Sequence, residues 1–311
     1  MGYGIWVNEK KGDRETGPLR WITNFEDMIL VLKGADFSDN NLGQVEVSQD
    51  LLPYTEAAIL ASGNAQMTPP QKSALDNLFR TMEAGQVGGV MSKMRKVYLP
   101  IIAGDVSKAL TDYSTDSFNV DLVLNSANWK IQSHGLIGYT TGQPITLTLN
   151  NPLNTGNFSC FALRTEKMVT GAADSHQVML LRGKTNTSNW LGLRCDSMSS
   201  NNIVGSGSSG ASKWYTGYSK EEDTISAVGV NMSGTTTFAI SPRNGGTSET
   251  FTPTNVIDMS GETSQILYVF GLGNMNMEKP YAVAMMGEAL TEQQTRDIVS
   301  KINALYDAFN V

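Results

Sequence analysis

The sequence predicts a mainly β protein in which an antiparallel sandwich, closed by a C-terminal helix, follows a small α+β region with a helical pair. Short apolar runs separated by Gly, Asn, Ser and Pro begin at Phe118 and continue to Met286. The residues after Leu290 have the spacing of an amphipathic helix, and the 30 glycines indicate a chain rich in turns. Short strands between regular turn signals are typical of a sandwich.

Nine runs in this part of the chain have the composition and length of β-strands. They are residues 120–124, 145–149, 158–164, 177–182, 190–194, 224–230, 236–240, 265–270 and 281–286. Residues 205–212 consist of Gly, Ser and Ala, which predicts a flexible surface loop. The aromatic segment 213–219 would then continue that loop.

The C-terminal helix is predicted from its first turn. Thr291 can act as the N-cap, and Gln294 stands three residues later, as in a capping box. An apolar stripe with helical spacing follows. Its members are Ile298, Ile302, Leu305 and Phe309.

Two further helical patterns lie in residues 67–117. Thr68 precedes two prolines, which is typical of a helix N-terminus. A second apolar-periodic run extends from Val90 to Ile102. We therefore expect three parts: an N-terminal attachment or assembly segment over residues 1–66, a helical pair over 67–117, and the sandwich over 118–311.

The N-terminal segment is too small for a convincing core of its own. Trp6 and Trp21 are among its large apolar residues, and the pattern of residues 32–47 predicts a strand, a turn and a second strand. A segment with tryptophans and little core is expected to pack on a partner. The composition of this segment therefore predicts a homo-oligomer, and a trimer is the hypothesis for its size.

Charge and hydropathy argue against two classes of partner. The net charge is −7 and the pI is about 5.0. Nucleic-acid binding needs a basic face that displaces counterions, so this role is disfavoured. The chain has no apolar run of about 18 residues, so no membrane insertion is expected. Cys160 and Cys195 are predicted as two buried thiols, with a disulfide between them left open.

The acidic and histidine residues do not form a recognisable catalytic pattern. Retaining glycoside hydrolysis needs paired carboxylates on one face of a strand, and the sequence has no such spaced pattern of acids. Residues 221–223 are consecutive acids, so their side chains would alternate between the two faces. His134 and His176 have no G-x-S-x-G serine to activate. We predict no catalytic residues, with a glycan depolymerase as the alternative.

Cofactors are not expected, although calcium stays open. Asp174, Asp196 and Asp258 lie in predicted loops, where carboxylates can bind calcium. Their spacing does not match a calcium-binding loop. No metal site is therefore assigned.

Aromatic residues in polar surroundings are the candidate ligand-binding residues. Trp214, Tyr215 and Tyr218 follow the Gly/Ser run, and Asn186 and Trp190 bound a second polar turn. Exposed rings beside amides are typical of a saccharide site. The alternative is that these rings cap the sandwich or lie at a subunit interface.

Two resemblances add to this interpretation. The strands 158–164, 177–183 and 190–194 and the terminal 281–306 stretch resemble the concanavalin A-like, laminin-G-like jelly-roll superfamily. Residues 67–79 and 91–105 resemble a helical pair in tailed-phage and prophage virion proteins, and residues 34–43 resemble structural proteins of gut Bacteroidetes phages.

The resemblance implies a location and a role. The expected protein is a virion structural protein of the fibre, spike or capsid-decorating type. Its N-terminal region would contact other virion proteins, and its sandwich would be displayed for adhesion to host-surface glycans. A purely architectural virion protein is the second alternative.

Overall fold

The computed structural model describes residues 5–11, 15–22, 50–138, 145–153, 156–165, 177–185, 190–194, 202–208, 211–216, 227–233, 238–241, 249–251, 259, 261–269 and 280–310. Within these ranges no helix combines the length and the apolar character needed to cross a membrane.

The chain forms two compact units, Met1–Leu51 and Leu52–Val311. The first contains an antiparallel hairpin of β1 (Ile5–Lys11) and β2 (Glu15–Ile22), in which Trp6 is paired with Trp21. The strands predicted between residues 32 and 47 lie outside the described residues. The three-part division of the chain stays a prediction, and the second unit contains both the helical region and the sandwich.

The second unit begins with helices and continues into strands. Helix α1 (Pro53–Ser62) and helix α2 (Pro69–Thr81) precede a single helical turn, α3 (Val90–Lys93). Strand β3 (Met94–Tyr98) follows, and helix α4 (Glu292–Phe309) ends the unit. The sandwich strands between them are β4 (Trp129–Gln132), β5 (Gly135–Gly138), β6 (Ile145–Leu149), β7 (Asn157–Arg164), β8 (Gln177–Gly183), β9 (Trp190–Arg194), β10 (Asn202–Ser208), β11 (Ala211–Thr216), β12 (Ala227–Ser233), β13 (Phe238–Ser241), β14 (Glu249–Phe251), β15 (Gln265–Val269) and β16 (Tyr281–Gly287).

Two antiparallel sheets are built from the described strands of this unit. One has eight strands, in the order β14-β13-β12-β7-β16-β5-β4, with β3 also paired to β16. The other has six, in the order β11-β10-β9-β8-β15-β6. The predicted class, a mainly β sandwich with a C-terminal helix, is confirmed.

The first core lies between the two sheets. Alternate residues of β7, among them Phe158, Cys160 and Ala162, contact this core from the eight-stranded sheet. Leu181 on β8 and Leu267 on β15 contact it from the six-stranded sheet, and both are fully buried. Period-two alternation therefore gives the sandwich its apolar interior.

A second core covers the other face of the eight-stranded sheet. Phe161 and Leu163 of β7 point to this face, where they pack in one cluster with Ile298 and Ile302 of α4. The cluster also includes Leu75 and Phe79 of α2 and residues of α1. The eight-stranded sheet is thus buried on both faces, which explains why every residue of β16 is buried.

The helix starts follow the sequence prediction. The Gln294 amide donates to Thr291 Oγ1 at 3.1 Å, and the Thr291 amide donates to Gln294 Oε1 at 2.9 Å. The predicted stripe of α4 is buried in the second core. Helix α2 begins after Thr68, as its prolines indicate.

The second member of the predicted helical pair is different in the structure. The run from Val90 forms only one helical turn, and Met94–Tyr98 is strand β3, antiparallel to β16. The hydrogen-bonding edge of β16 is the physical reason, because a short apolar run adopts the conformation that its neighbour can pair with. Helix α2 packs instead mainly beside the C-terminal helix α4, and to a lesser extent beside α1, which precedes it.

Two loop and strand predictions are also wrong. Residues 205–208 and 211–212 of the predicted flexible loop belong to β10 and β11, which pair with each other. Strand β10 also pairs with β9, so its glycines are held by hydrogen bonds on both sides. Residues 120–124 form no strand, and only Val120 makes an isolated bridge, to Thr111.

Candidate ligand-binding face

The face of the six-stranded sheet that is turned away from the core is the candidate site. On β15, Gln265, Leu267 and Val269 are buried, whereas Ile266 and Tyr268 between them are half-buried. On β6, Thr146 and Thr148 are exposed. The outward positions of the sheet are therefore those in register with Ile266 and Tyr268.

Strand pairing defines two neighbouring outward rows across all six strands. Tyr268 is in register with Leu180, Leu180 with Gly192, Gly192 with Gly205, and Gly205 with Trp214. Ile266 is in register with Arg182, Arg182 with Trp190, Trp190 with Gly207, and Gly207 with Ser212. On β6 the rows end at Thr146 and Thr148.

The pairing brings together two of the five predicted ligand-binding residues. Trp190 and Trp214 are 24 positions apart in sequence yet occupy adjacent outward rows, two strands apart. The register positions Gly192, Gly205 and Gly207 lie between and beside them. Residues without a Cβ leave the backbone open to close approach by a ligand.

The described part of the predicted aromatic loop, residues 213–216, is strand. Trp214 and Tyr215 are successive positions of β11, so their positions alternate between the two faces of the sheet. Tyr215 is in register with Val204, Leu193, Met179 and then buried Val269, which is the inward row. Tyr218 and Asn186 lie outside the described residues.

An arginine stands at the centre of the outer face. Arg182 on β8 is half-buried, and its guanidinium carbon lies 5.6 Å from the centre of the Tyr268 ring. This is the distance of a cation–π contact. Its Nε atom is buried and, among the described residues, has no hydrogen-bond partner. This contact was not anticipated from the sequence, because it joins β8 to β15 across 86 positions.

A second polar cluster, beside β3, has a structural role. Lys96 Nζ lies 2.9 Å from Asp112 Oδ2 and 2.5 Å from Asp121 Oδ2, and the Tyr98 hydroxyl donates to Asp121. The other Asp112 oxygen accepts from the amides of Val97 and Ser114. These carboxylates anchor the segment after β3 to the strand and are engaged by the protein itself.

The pKa values in this cluster follow from burial and charge. Burial by itself would lower the pKa of Lys96, but Asp112 and Asp121 outweigh it, so the net shift is upward. Burial raises the pKa of Tyr98 well above its ordinary value, and the same two carboxylates add to the rise. Both groups keep their protons at neutral pH.

Neither a metal nor a histidine site emerges from the described part of the chain. No group of three or more His, Cys, Asp or Glu side chains that could hold an ion occurs within it. His134 packs edge-on against Phe309, with ring centres 5.4 Å apart, and burial lowers its pKa. The histidine at position 176, Cys195, the acids 221–223 and the three aspartates considered for calcium lie outside the described residues.

Comparisons with known proteins yield similarities of structure only. No protein-family model matches the chain, and no curated protein matches it. Domain 4 of AbnA, a GH43 extracellular arabinanase from Geobacillus stearothermophilus solved with arabinotriose, is 16% identical over 67% of this chain and 98% of that domain, with a TM-score of 0.44. The CBM2 module of the evolved Dit of Lactobacillus casei BL23 phage J-1 is 12% identical over 54% of this chain and 82% of the module, with a TM-score of 0.33.

A third solved structure is the carbohydrate-binding module CBM66 from Bacillus subtilis. It is 11% identical over 52% of this chain and 87% of the module, with a TM-score of 0.29. At these TM-scores the similarities concern the general fold and do not extend to a function.

Proposed function

We propose that this protein binds saccharides on the outer face of its six-stranded sheet and does no chemistry on them. The strand register carries the proposal, because it places Trp190 and Trp214 in adjacent rows around a patch of three glycines. One face of a pyranose ring presents C–H bonds, which stack favourably on the electron-rich face of an indole.

The spacing of the patch suits a sugar ring. Strands lie about 4.8 Å apart, so the positions of Trp214 and Leu180, three strands apart in one row, are separated by about 14 Å. The two positions between them are Gly192 and Gly205. Two successive positions without a side chain provide a shallow depression about as wide as a monosaccharide.

The proposed setting is a phage virion, on which the protein is a fibre, spike or decoration subunit. This setting comes from the sequence resemblance of residues 67–79 and 91–105. Many copies on one particle would convert weak saccharide contacts into strong attachment. The N-terminal unit, with its Trp6–Trp21 cross-strand pair, would contact other virion proteins or other copies of the chain.

A glycan array probed with the full-length protein tests the proposal. Trp214→Ala and Trp190→Ala should each weaken binding to the best saccharide at least about tenfold, because the stacking of a sugar on an indole and the apolar area that it buries together contribute on the order of 1.5 kcal/mol. Leu60→Ala is the matched control. Leu60 is an apolar side chain on α1 that is 83% exposed, and its loss should leave binding unchanged.

Two further experiments test the alternative functions, a glycan depolymerase and a purely architectural virion protein. New reducing ends, released when the full-length protein is incubated with the saccharide that it binds, would establish a depolymerase and contradict the non-enzymatic part of the proposal. A blank array, with the protein located on particles by immuno-electron microscopy, would support a purely architectural role and refute saccharide binding.

A further inference from the structure

The charge of the outer face restricts the ligand. Across the twelve described positions of its two central rows, Arg182 is the one residue with a formal charge. The twelve are Thr146, Tyr268, Leu180, Gly192, Gly205, Trp214, Thr148, Ile266, Arg182, Trp190, Gly207 and Ser212. The next outward position of β9 is Arg194, in register with Gln177. The protein as a whole carries −7, so this positive face is a local feature.

Arg182 is held in place but its hydrogen-bonding capacity is not used by the described residues. Its guanidinium packs over Tyr268 at 5.6 Å, which fixes the side chain along the sheet. Its Nε is buried without an acceptor among the described residues, and none of the ion pairs between those residues involves Arg182. Because Nε is enclosed by the protein, a ligand would be bound by the two Nη groups, which carry the other four N–H donors of the guanidinium.

We infer that the saccharide recognised by this face is acidic, and that Arg182 pairs with its carboxylate or sulfate group. The inference rests on the proposed function of the same face. The planar guanidinium presents paired N–H donors that match the two oxygens of such a group. Trp190 is in register with Arg182 on the adjacent strand, so an anionic substituent at Arg182 would belong to a sugar at the tryptophan position.

A matched glycan array with the full-length protein tests this. Each neutral oligosaccharide is printed beside its sialylated, uronic-acid and sulfated counterparts, and calorimetry measures the affinities for the best series. The acidic member should bind at least about tenfold more tightly at low salt. This preference should shrink as NaCl is raised from 50 to 500 mM, because salt screens the pair. The sialylated, uronic and sulfated arms decide between carboxylate and sulfate.

Three variants separate Arg182 from general electrostatics. Arg182→Gln should abolish the preference for the acidic member while affinity for the neutral one stays within about twofold. Arg182→Lys, which keeps the charge but loses the paired donors, should retain only part of the preference. Lys184→Gln removes an exposed positive charge just beyond β8 and should leave the preference intact.

The outcomes distinguish the two proposals. Equal binding of acidic and neutral members, or an acid preference that survives Arg182→Gln, would overturn the inference while saccharide binding at Trp190 and Trp214 stands. Binding to no glycan would overturn both. Preference lost in Arg182→Gln and kept in Lys184→Gln would support it.

Discussion

The pKa of the Tyr98 hydroxyl is determined by the residues that bury it. Its hydroxyl donates to Asp121, which also accepts from Lys96 Nζ. Burial and the carboxylates hold the proton on Tyr98 at a pH where an exposed tyrosine has lost it. The same direction of shift applies to Tyr54 and Tyr113. Because their pKa values are raised in the folded protein, these buried phenols make its stability depend on pH in the alkaline range.

The unfolding free energy should therefore fall as the pH rises above about 10. A group whose folded pKa is raised stabilises the protein fully below its unfolded pKa, about 10 for tyrosine, and loses that contribution as pH rises toward the folded value. Each such group contributes up to about 1.4 kcal/mol per pH unit to the slope. In Tyr98→Phe, urea unfolding measured from pH 8 to 11 should show a shallower decline. Parallel curves for the wild type and the variant would contradict this.

The candidate site shows which of its residues can be predicted from the sequence and which cannot. Trp190 and Trp214 were identified from composition alone, as aromatic residues among polar ones. Their mutual placement is not predictable from the sequence, because the segment that contains Trp214 has the flanking composition of a loop but forms β11. Arg182 was not identified, because an arginine in a strand has no local pattern that distinguishes it. Only the pairing of β8 with β15 and β9 gives it neighbours.

At the scale of elements, a glycine on β12, Gly229, allows α4 to pack closely on the eight-stranded sheet. A Cβ at Gly229 on β12 would lie 2.6 Å from Val299 Cγ2 and 2.9 Å from the Phe161 ring. The helix thus approaches the sheet closely because one strand position lacks a side chain. Strand β12 is fixed to the helix further by the Ala227 amide, which donates to Asn303 Oδ1 at 2.8 Å.

Gly229→Ala should lower the unfolding free energy by about 1–3 kcal/mol, because overpacking forces the helix or the ring to shift. Chemical denaturation measures the loss. Gly261→Ala is the matched control, since its Cβ would meet nothing within 4 Å and should change stability by less than about 0.5 kcal/mol. In the Gly229→Ala background, Val299→Ala should cost less than it does alone. Equal costs in both backgrounds would contradict the contact.

Elements with strong local signals were predicted well, and those determined by neighbours were not. Helix α4 has a capping box and a stripe, and strands β6 and β9 have the predicted ends. The β4–β5 hairpin was missed because its turn is Ser133-His134. Both residues have positive φ, a conformation that Asn-Gly usually signals. Strand β10 was missed because glycine has low strand propensity, although pairing with β9 and β11 on its two sides holds it. Strand β11 was missed because its residues follow the Gly/Ser run, and it lies at the edge of the sheet, where it pairs with β10.

At the scale of the molecule, the helical region and the sandwich share one core. Strand β3 pairs with β16, and α1 and α2 pack in the same cluster as the outer residues of β7 and β16. Asp76 of α2 further ties these helices together, because it accepts from the Leu52 amide and from Thr55 Oγ1, each at 2.7 Å.

A fragment of residues 118–311 should consequently fail to fold cooperatively. It lacks β3 and both N-terminal helices, so apolar residues such as Phe161 and Val283 lose part of their cover. A fragment of residues 52–311 retains the whole second unit and should unfold in one sharp transition. Calorimetry and dye binding to exposed apolar surface compare the two. A sharp transition of the shorter fragment at the temperature of the longer one would refute the shared core.

The sequence by itself determined the class of the fold, the final helix and most inner strands, because alternation and capping act over a few neighbouring residues. It also supplied the aromatic residues of the candidate face. The tertiary structure alone decided that β3 joins the sheet, that β10 and β11 are strands, and that Arg182, Trp190 and Trp214 occupy strand positions of the same face. Those outcomes depend on hydrogen bonds and packing between residues far apart in the chain, which no local pattern encodes.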